Sequence, residues 1–133
     1  MIKYILDTDI SIYIINKRPV EILDTFNENA EFLCISAVTL AELLHGAKKS
    51  NNPVRALQRV KDFTSRLEAL DYGEKAAHHY GDIKAGLEQQ GAVIGPNDLH
   101  IASHARSEGL TLITNNTGEF KRVEGLRIEN WVS

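Results

Sequence analysis

Tyr4-Ile5-Leu6-Asp7-Thr8-Asp9-Ile10 decides how the rest of the chain is read. A short apolar run from Ile2 to Leu6 has the length of a buried strand, and Asp7 ends it. The pattern repeats along the chain. Phe32 to Ile35 closes at Ser36, Ala69-Leu70-Asp71 suggests a brief third strand, Leu110 to Ile113 closes at Thr114-Asn115-Asn116, and Leu126 to Ile128 suggests a fifth. Helical patterns fill the intervals. Pro19 suits the first turn of a helix through Phe26, and Pro53 opens one carrying Leu57, Val60, Phe63 and Leu67 on a single stripe. Asp71 and Glu74 have capping-box spacing ahead of a helix that Gly91 closes, and a helix from Pro96 to Ser107 is closed by Gly109. The expected order is β-α-α-β-α-α-β-α-α-β-α-β. Short apolar strands alternating with helices imply a three-layer α/β/α sandwich around a mostly parallel five-stranded sheet. Binding sites in such folds lie at the carboxyl ends of the strands.

Acids at those ends are therefore informative. Asp7 borders the core, where a carboxylate costs stability unless it is paired. It reads either as the N-cap of a helix starting near Ile10 or as part of a site. Glu42 is the only Asp, Glu, Lys or Arg between Glu31 and Lys48, among Val38, Leu40, Ala41, Leu43, Leu44 and Ala47. It is either on an exposed face or a buried acid in need of a cation. His45 shares its face, as a substrate contact or as an ordinary surface histidine. Asp98 heads the stripe of Ile101, Ala102 and Ala105, although a first-turn acid also suits the helix dipole by itself. Asn116 follows the fourth strand, where a polar residue is usually part of a turn. Together the four project toward one rim. Three converging carboxylates repel one another and call for a divalent cation, and oxygen donors favour Mg²⁺ or Mn²⁺ over zinc.

The bulk composition leaves this reading open. A length of 133 residues suits one domain spanning 1–133, large enough to hold a core without disulfides. The single cysteine, Cys34, lies in an apolar run and reads as core. No stretch approaches the roughly 18 apolar residues of a membrane span, and no signal-like segment opens the chain, so a cytoplasmic location is expected. A net charge of −3 argues against a general nucleic-acid coat protein but permits a nuclease with a local basic surface.

At the residue level the chain resembles the PIN-domain ribonucleases, and within them the VapC toxins of bacterial toxin–antitoxin modules. The marks are Leu6-Asp7-Thr8-Asp9, Ile35-Ser36-Ala37-Val38-Thr39-Leu40-Ala41-Glu42-Leu43, Gly95-Pro96-Asn97-Asp98 leading into Ile101-Ala102, and Thr114-Asn115-Asn116 followed by Glu119-Phe120. The resemblance implies metal ligation by Asp7, Glu42 and Asp98, with Asn116 in a fourth place where relatives carry Asp or Asn. Thr8 and Thr114 would be hydrogen-bond donors orienting the ligands. Asp9 beside them departs from the Asn that most relatives carry, as a near-isostere, an added charge, or an alteration of the natural residue. The implied activity is Mg²⁺-dependent cleavage of RNA, with structured RNAs such as transfer RNA the usual targets. Leu70, Tyr72 and Trp131 lie in stretches that look like the enterobacterial branch, which cuts initiator transfer RNA in its anticodon loop.

Two surfaces follow. Lys48, Lys49, Arg55, Arg59, Lys61 and Arg66 form a basic segment that is either a solvated helix face or a strip that holds RNA beside the acidic pocket. Ile10, Ile12, Tyr13, Ile14 and Ile15 are too densely apolar for a simple amphipathic helix. By the resemblance, the excess would serve a homodimer or a VapB-type antitoxin whose tail lies over this helix. Two other readings compete. Asp7-Thr8-Asp9 also looks like the aspartyl-phosphate motif of haloacid-dehalogenase-type phosphatases, with Asp7 as nucleophile and Asp9 as general acid. A non-catalytic PIN module acting with an antitoxin is the other, though a pure binding role needs no converging acids.

Overall fold

Strand pairing follows the apolar runs. The structure, a computed structural model, describes residues 1–132. Five strands, β1 (Tyr4–Leu6), β2 (Leu33–Ser36), β3 (Glu68–Leu70), β4 (Thr111–Ile113) and β5 (Ile128–Glu129), form one sheet in the order β3-β2-β1-β4-β5. Every pairing is parallel, with Leu6 opposite Ile35 on one side and Ile113 on the other. Helices α1 (Thr8–Asn16), α2 (Glu21–Asn29), α3 (Ala37–Lys48), α4 (Pro53–Thr64), α5 (Glu74–Gln89), α6 (Pro96–Glu108) and α7 (Thr117–Phe120) connect them, with a 3-10 turn over Ala30–Phe32 before β2. The expected element order is reproduced.

The two-residue period of the strands divides the core between two layers. Leu6, Leu33, Ile35 and Ile113 point to one side, where they meet Ile10, Ile14, Ile22, Phe26, Leu43, Ala47, Val60 and Phe63 of α1 to α4. Ile5, Cys34 and Leu112 point to the other, against Ile83, Leu87, Leu99, Ile101, Ala102 and Ala105 of α5 and α6. Burial pushes the Cys34 thiol up to about 12, so it behaves as an apolar core residue. The chain thus moves outward from β1 through β2 to β3 over one face. It returns over the other face to β4, on the far side of β1. The order reverses between β1 and β4, and a crevice opens there at the carboxyl ends.

Local signals succeed or fail for identifiable reasons. Pro53 stands in the first turn of α4, and Gly109 closes α6 in the left-handed conformation (φ 67°). The Asp71–Glu74 capping box does not form. The loop after β3 runs on to Gly73, which is the N-cap of α5 and offers no side chain. Pro19 precedes its helix instead of entering it, because α2 begins at Glu21, and that helix continues to Asn29. Leu67 falls beyond the end of α4.

One buried polar contact joins the two layers. Ser36, fully buried, caps α3 by accepting from the Val38 backbone N–H (3.1 Å) and is hydrogen-bonded to Nδ1 of His104 on α6 (2.7 Å). Burial holds the His104 imidazole below its ordinary pKa, so it stays neutral. Its Nε2 makes no hydrogen bond among the described residues, although the Asp71 backbone lies near enough to bias its charge. Ser36→Ala removes a helix cap and strands a second buried imidazole nitrogen. The expected cost is roughly 2–3 kcal/mol in urea unfolding, summed from a cap and an unpaired buried polar group.

Candidate active site

Asp7 leaves β1 at its carboxyl end and is 3% exposed. Its side chain accepts from the Ile10 backbone N–H at 2.8 Å, so it is the N-cap of α1 as well as an acid at the crevice. The N-cap reading is therefore borne out, at a position whose charge also meets Asp9 and Glu42. Burial pushes its carboxyl up to about 6, against hydrogen bonds from Thr114 and Ile10 that lower it. Asp9 and Glu42 add repulsion. Thr114 is fully buried and also accepts from the Asn116 backbone N–H (2.9 Å), which fixes the turn after β4.

Asp98 stands half-buried in the first turn of α6, one residue from the Asn97 that faces Glu42. Burial is the main force that raises its carboxyl, to about 7. The next is Glu119 on α7, through both charge and a shared hydrogen bond, followed by Asp7 and Asp9. Glu119 is the residue that sequence reasoning passed over. In sequence alone, an acid in a short helix after a turn looks like surface. Its position in space is distinctive. It accepts from the Gly95 backbone N–H (3.3 Å) and from the Asn116 amide (2.8 Å). Asn116 is itself exposed and reaches the acidic group through Glu119.

Glu42 comes from the second turn of α3 and is half-buried. Among the described residues the side chains bonded to it are neutral. Thr8 donates to one carboxylate oxygen (2.5 Å) and Asn97 to the other (2.9 Å), while the Thr8 hydroxyl is also hydrogen-bonded to that of buried Thr39 (3.2 Å). Thr8, Asp9, Glu42, Gly95, Pro96, Asn97 and Asp98 line a cleft of about 300 Å³. His45 lies exposed on α3.

The cleft presents oxygen donors and no imidazole or thiolate, which suits Mg²⁺ or Mn²⁺. Among the described residues no three His, Cys, Asp or Glu side chains close tightly enough to grip one ion directly. That spacing leaves room for an ion that keeps several of its own waters, as Mg²⁺ does.

Arg55, Arg59 and Arg66 line one cleft together, and Lys48 and Lys49 are not part of its lining. Lys48 and Lys49 are exposed at the end of α3. Arg59 donates to the Ile15 carbonyl (2.9 Å) and the Asn16 side chain (3.1 Å) at the end of α1. Arg66 donates to Asn27 (2.7 Å) and lies over the Phe26 ring. Arg55 stays exposed beside Arg59 and Arg66 on the rim of a second cleft. Between α1, α3 and α4, an apolar groove of about 240 Å³ lined by Ile12, Ile15, Ala47 and Ala56 runs from Arg59 to Glu42. Of the other marked residues, Tyr72 bonds His100 (2.8 Å) and packs on His104, and Trp131 packs edge-on against Tyr4.

Acids gathered at the carboxyl ends of β1 and β4 in a three-layer sandwich suit metal-assisted phosphodiester chemistry. The PIN domain model matches residues 4–126, and the chain belongs to the PIN-domain family. It is 58% identical over 132 residues to Ribonuclease VapC2 of Haemophilus influenzae, covering 99% of this chain and all of that one. It is 50% identical over 131 residues to the tRNA(fMet)-specific endonuclease VapC of Shigella flexneri, covering 98% and 99%. The crystal structure of DNA-bound VapBC from Salmonella typhimurium superposes with a TM-score of 0.95 at 49% identity, covering 98% of this chain and 99% of that one. Among the described residues no helix is long and apolar enough to cross a membrane.

The raised carboxyls set a pH test. Asp7 and Asp98 hold their protons more tightly folded than unfolded, so their stabilising effect is present at acidic pH. It declines as pH rises from about 4 through about 7. In EDTA, Asp98→Asn is expected to raise the Tm at pH 8 by roughly 3 °C, an advantage that disappears by pH 5 in scanning calorimetry.

Proposed function

We propose that this chain, acting as one nuclease domain, is the toxin of a type II toxin–antitoxin pair. In this reading it is a Mg²⁺-dependent endoribonuclease, with Mn²⁺ as a substitute, that works in the cytoplasm and stops translation by cutting RNA. The observation that carries the reading is the gathering of acids at one place: Asp9, Glu42 and Asp98 line the cleft, Asp7 and Glu119 act on Asp98 electrostatically, and burial and repulsion raise two of the carboxyls. Such a group is costly without a cation, and a purely binding fold has no use for it. Close similarity along the whole chain to proteins named as VapC ribonucleases supports the same activity.

Asp7, Asp98 and Glu42 would hold the ion, with Glu119 beside Asp98 and Asn116 orienting Glu119. Bound there, a divalent ion lowers the pKa of a water and neutralises charge on the phosphate and its leaving oxygen. The residues themselves do the positioning. Thr114 and the α1 N-terminus hold Asp7, and Thr8 holds Glu42. The substrate proposed is transfer RNA, with the initiator anticodon loop as the first candidate, because the Shigella relative is named for tRNA(fMet). Lys48, Lys49 and Arg55 are available for phosphate contacts, and Arg59 contributes from its anchored position.

The groove over α1 would take the tail of a VapB-type antitoxin, since solved neighbours are VapBC complexes and its floor is apolar up to Glu42. Homodimerisation is part of the same proposal. The phosphatase alternative falls with the family assignment, and Asp98 opens a helix where that mechanism needs acids at a strand end.

Purified protein incubated with cellular RNA should cut it in Mg²⁺ and stop in EDTA. Asp7→Ala and Asp98→Asn should each lower the rate about a thousandfold, the loss expected when several kcal/mol of charge stabilisation disappear. Retained cutting in EDTA or in both variants would refute the metal mechanism. A basic antitoxin tail peptide in stoichiometric excess should block cleavage; unchanged cleavage would remove the groove assignment.

A further inference from the structure

Glu42 makes no ion pair among the described residues, yet both of its carboxylate oxygens are engaged. One partner, Thr8, follows Asp7 directly in the chain. The other is Asn97, 55 residues away on α6, whose Nδ2 donates to Oε2 at 2.9 Å. Asn97 is exposed and lines the same cleft as Asp98, its neighbour in sequence. The first turn of α6 therefore supplies both an acid and a tether that reaches across to the acid on α3. Ser36 and His104 join the same two helices deeper in the core.

The chemistry of the tether is selective. A lysine or arginine in its place would neutralise Glu42 and compete with any ion for it. An aspartate would repel it. An amide N–H aims the carboxylate while leaving its charge available. We propose that Asn97 is a positioning residue that holds Glu42 at the spacing from Asp98 required by a divalent cation. This inference rests on the metal-nuclease reading above.

The test compares wild type, Asn97→Ala and Asn97→Gln by Mg²⁺ calorimetry and by cleavage at saturating Mg²⁺. Losing a residue that orients a ligand typically costs tenfold or more in metal affinity. Asn97→Ala is expected to weaken Mg²⁺ binding about tenfold and to lower kcat with KM little changed. Because the side chain is exposed, Tm should stay at the wild-type value. Asn97→Gln keeps the amide on a longer arm and should recover most of both losses. Wild-type Mg²⁺ affinity and kcat in Asn97→Ala would overturn the proposal, and so would an Asn97→Gln variant as impaired as Asn97→Ala. If wild type binds Mg²⁺ but cuts no RNA, the nuclease reading fails, and the calorimetric comparison still decides the role of Asn97.

Discussion

Repulsion among carboxylates confined to one crevice is the constraint around which the rest of this molecule is arranged. Asp7 is buried at the end of the central strand, and Asp98 is half-buried in the first turn of α6. Both resist ionisation because their surroundings are poor in water and rich in negative charge. A fold can tolerate that only where the backbone leaves no other course. Here the sheet order reverses between β1 and β4, and the gap is filled by the first turns of α1 and α6 and by the turn after β4.

Neutral donors make the arrangement possible. Thr8, Asn97, Thr114, Asn116 and the backbone N–H groups of Ile10 and Gly95 each satisfy a carboxylate oxygen without cancelling its charge. Cations in those places would give a more stable protein with nothing left to bind an ion. The acids are held near one another but not closed into a cage. That suits a hydrated ion, whose waters fill the remaining distance. Like charges held together in this way lower the stability of the fold.

The basic surface follows a different logic. Arg59 of α4 and Arg66 just beyond it tie this segment to α1 and α2 while still presenting positive charge on the rim of the second cleft. Their structural and electrostatic roles coincide, much as Asp7 both caps α1 and adds charge to the acidic group.

Much of this was legible in the residues. Apolar runs ending in polar residues marked all five strands to within two residues, and Pro53, Pro96, Gly91 and Gly109 marked helix boundaries, because those signals act through local backbone geometry. Asp7 and Asp98 stood out because an acid bordering an apolar stretch is locally anomalous. The Asp71–Glu74 cap misled because its spacing was right while the strand ended too early for it to be used. Glu119 and Asn97 were invisible as participants, since each is a polar residue in a polar turn until distant segments meet it. The chain by itself determined the elements, their parallel pairing and the acids at the strand ends, all set by short-range pattern and chemistry. Only the tertiary structure decided which neutral donors those acids would find, because Glu42 meets Asn97, and Ser36 meets His104, across 55 and 68 residues of chain that the fold alone brings together.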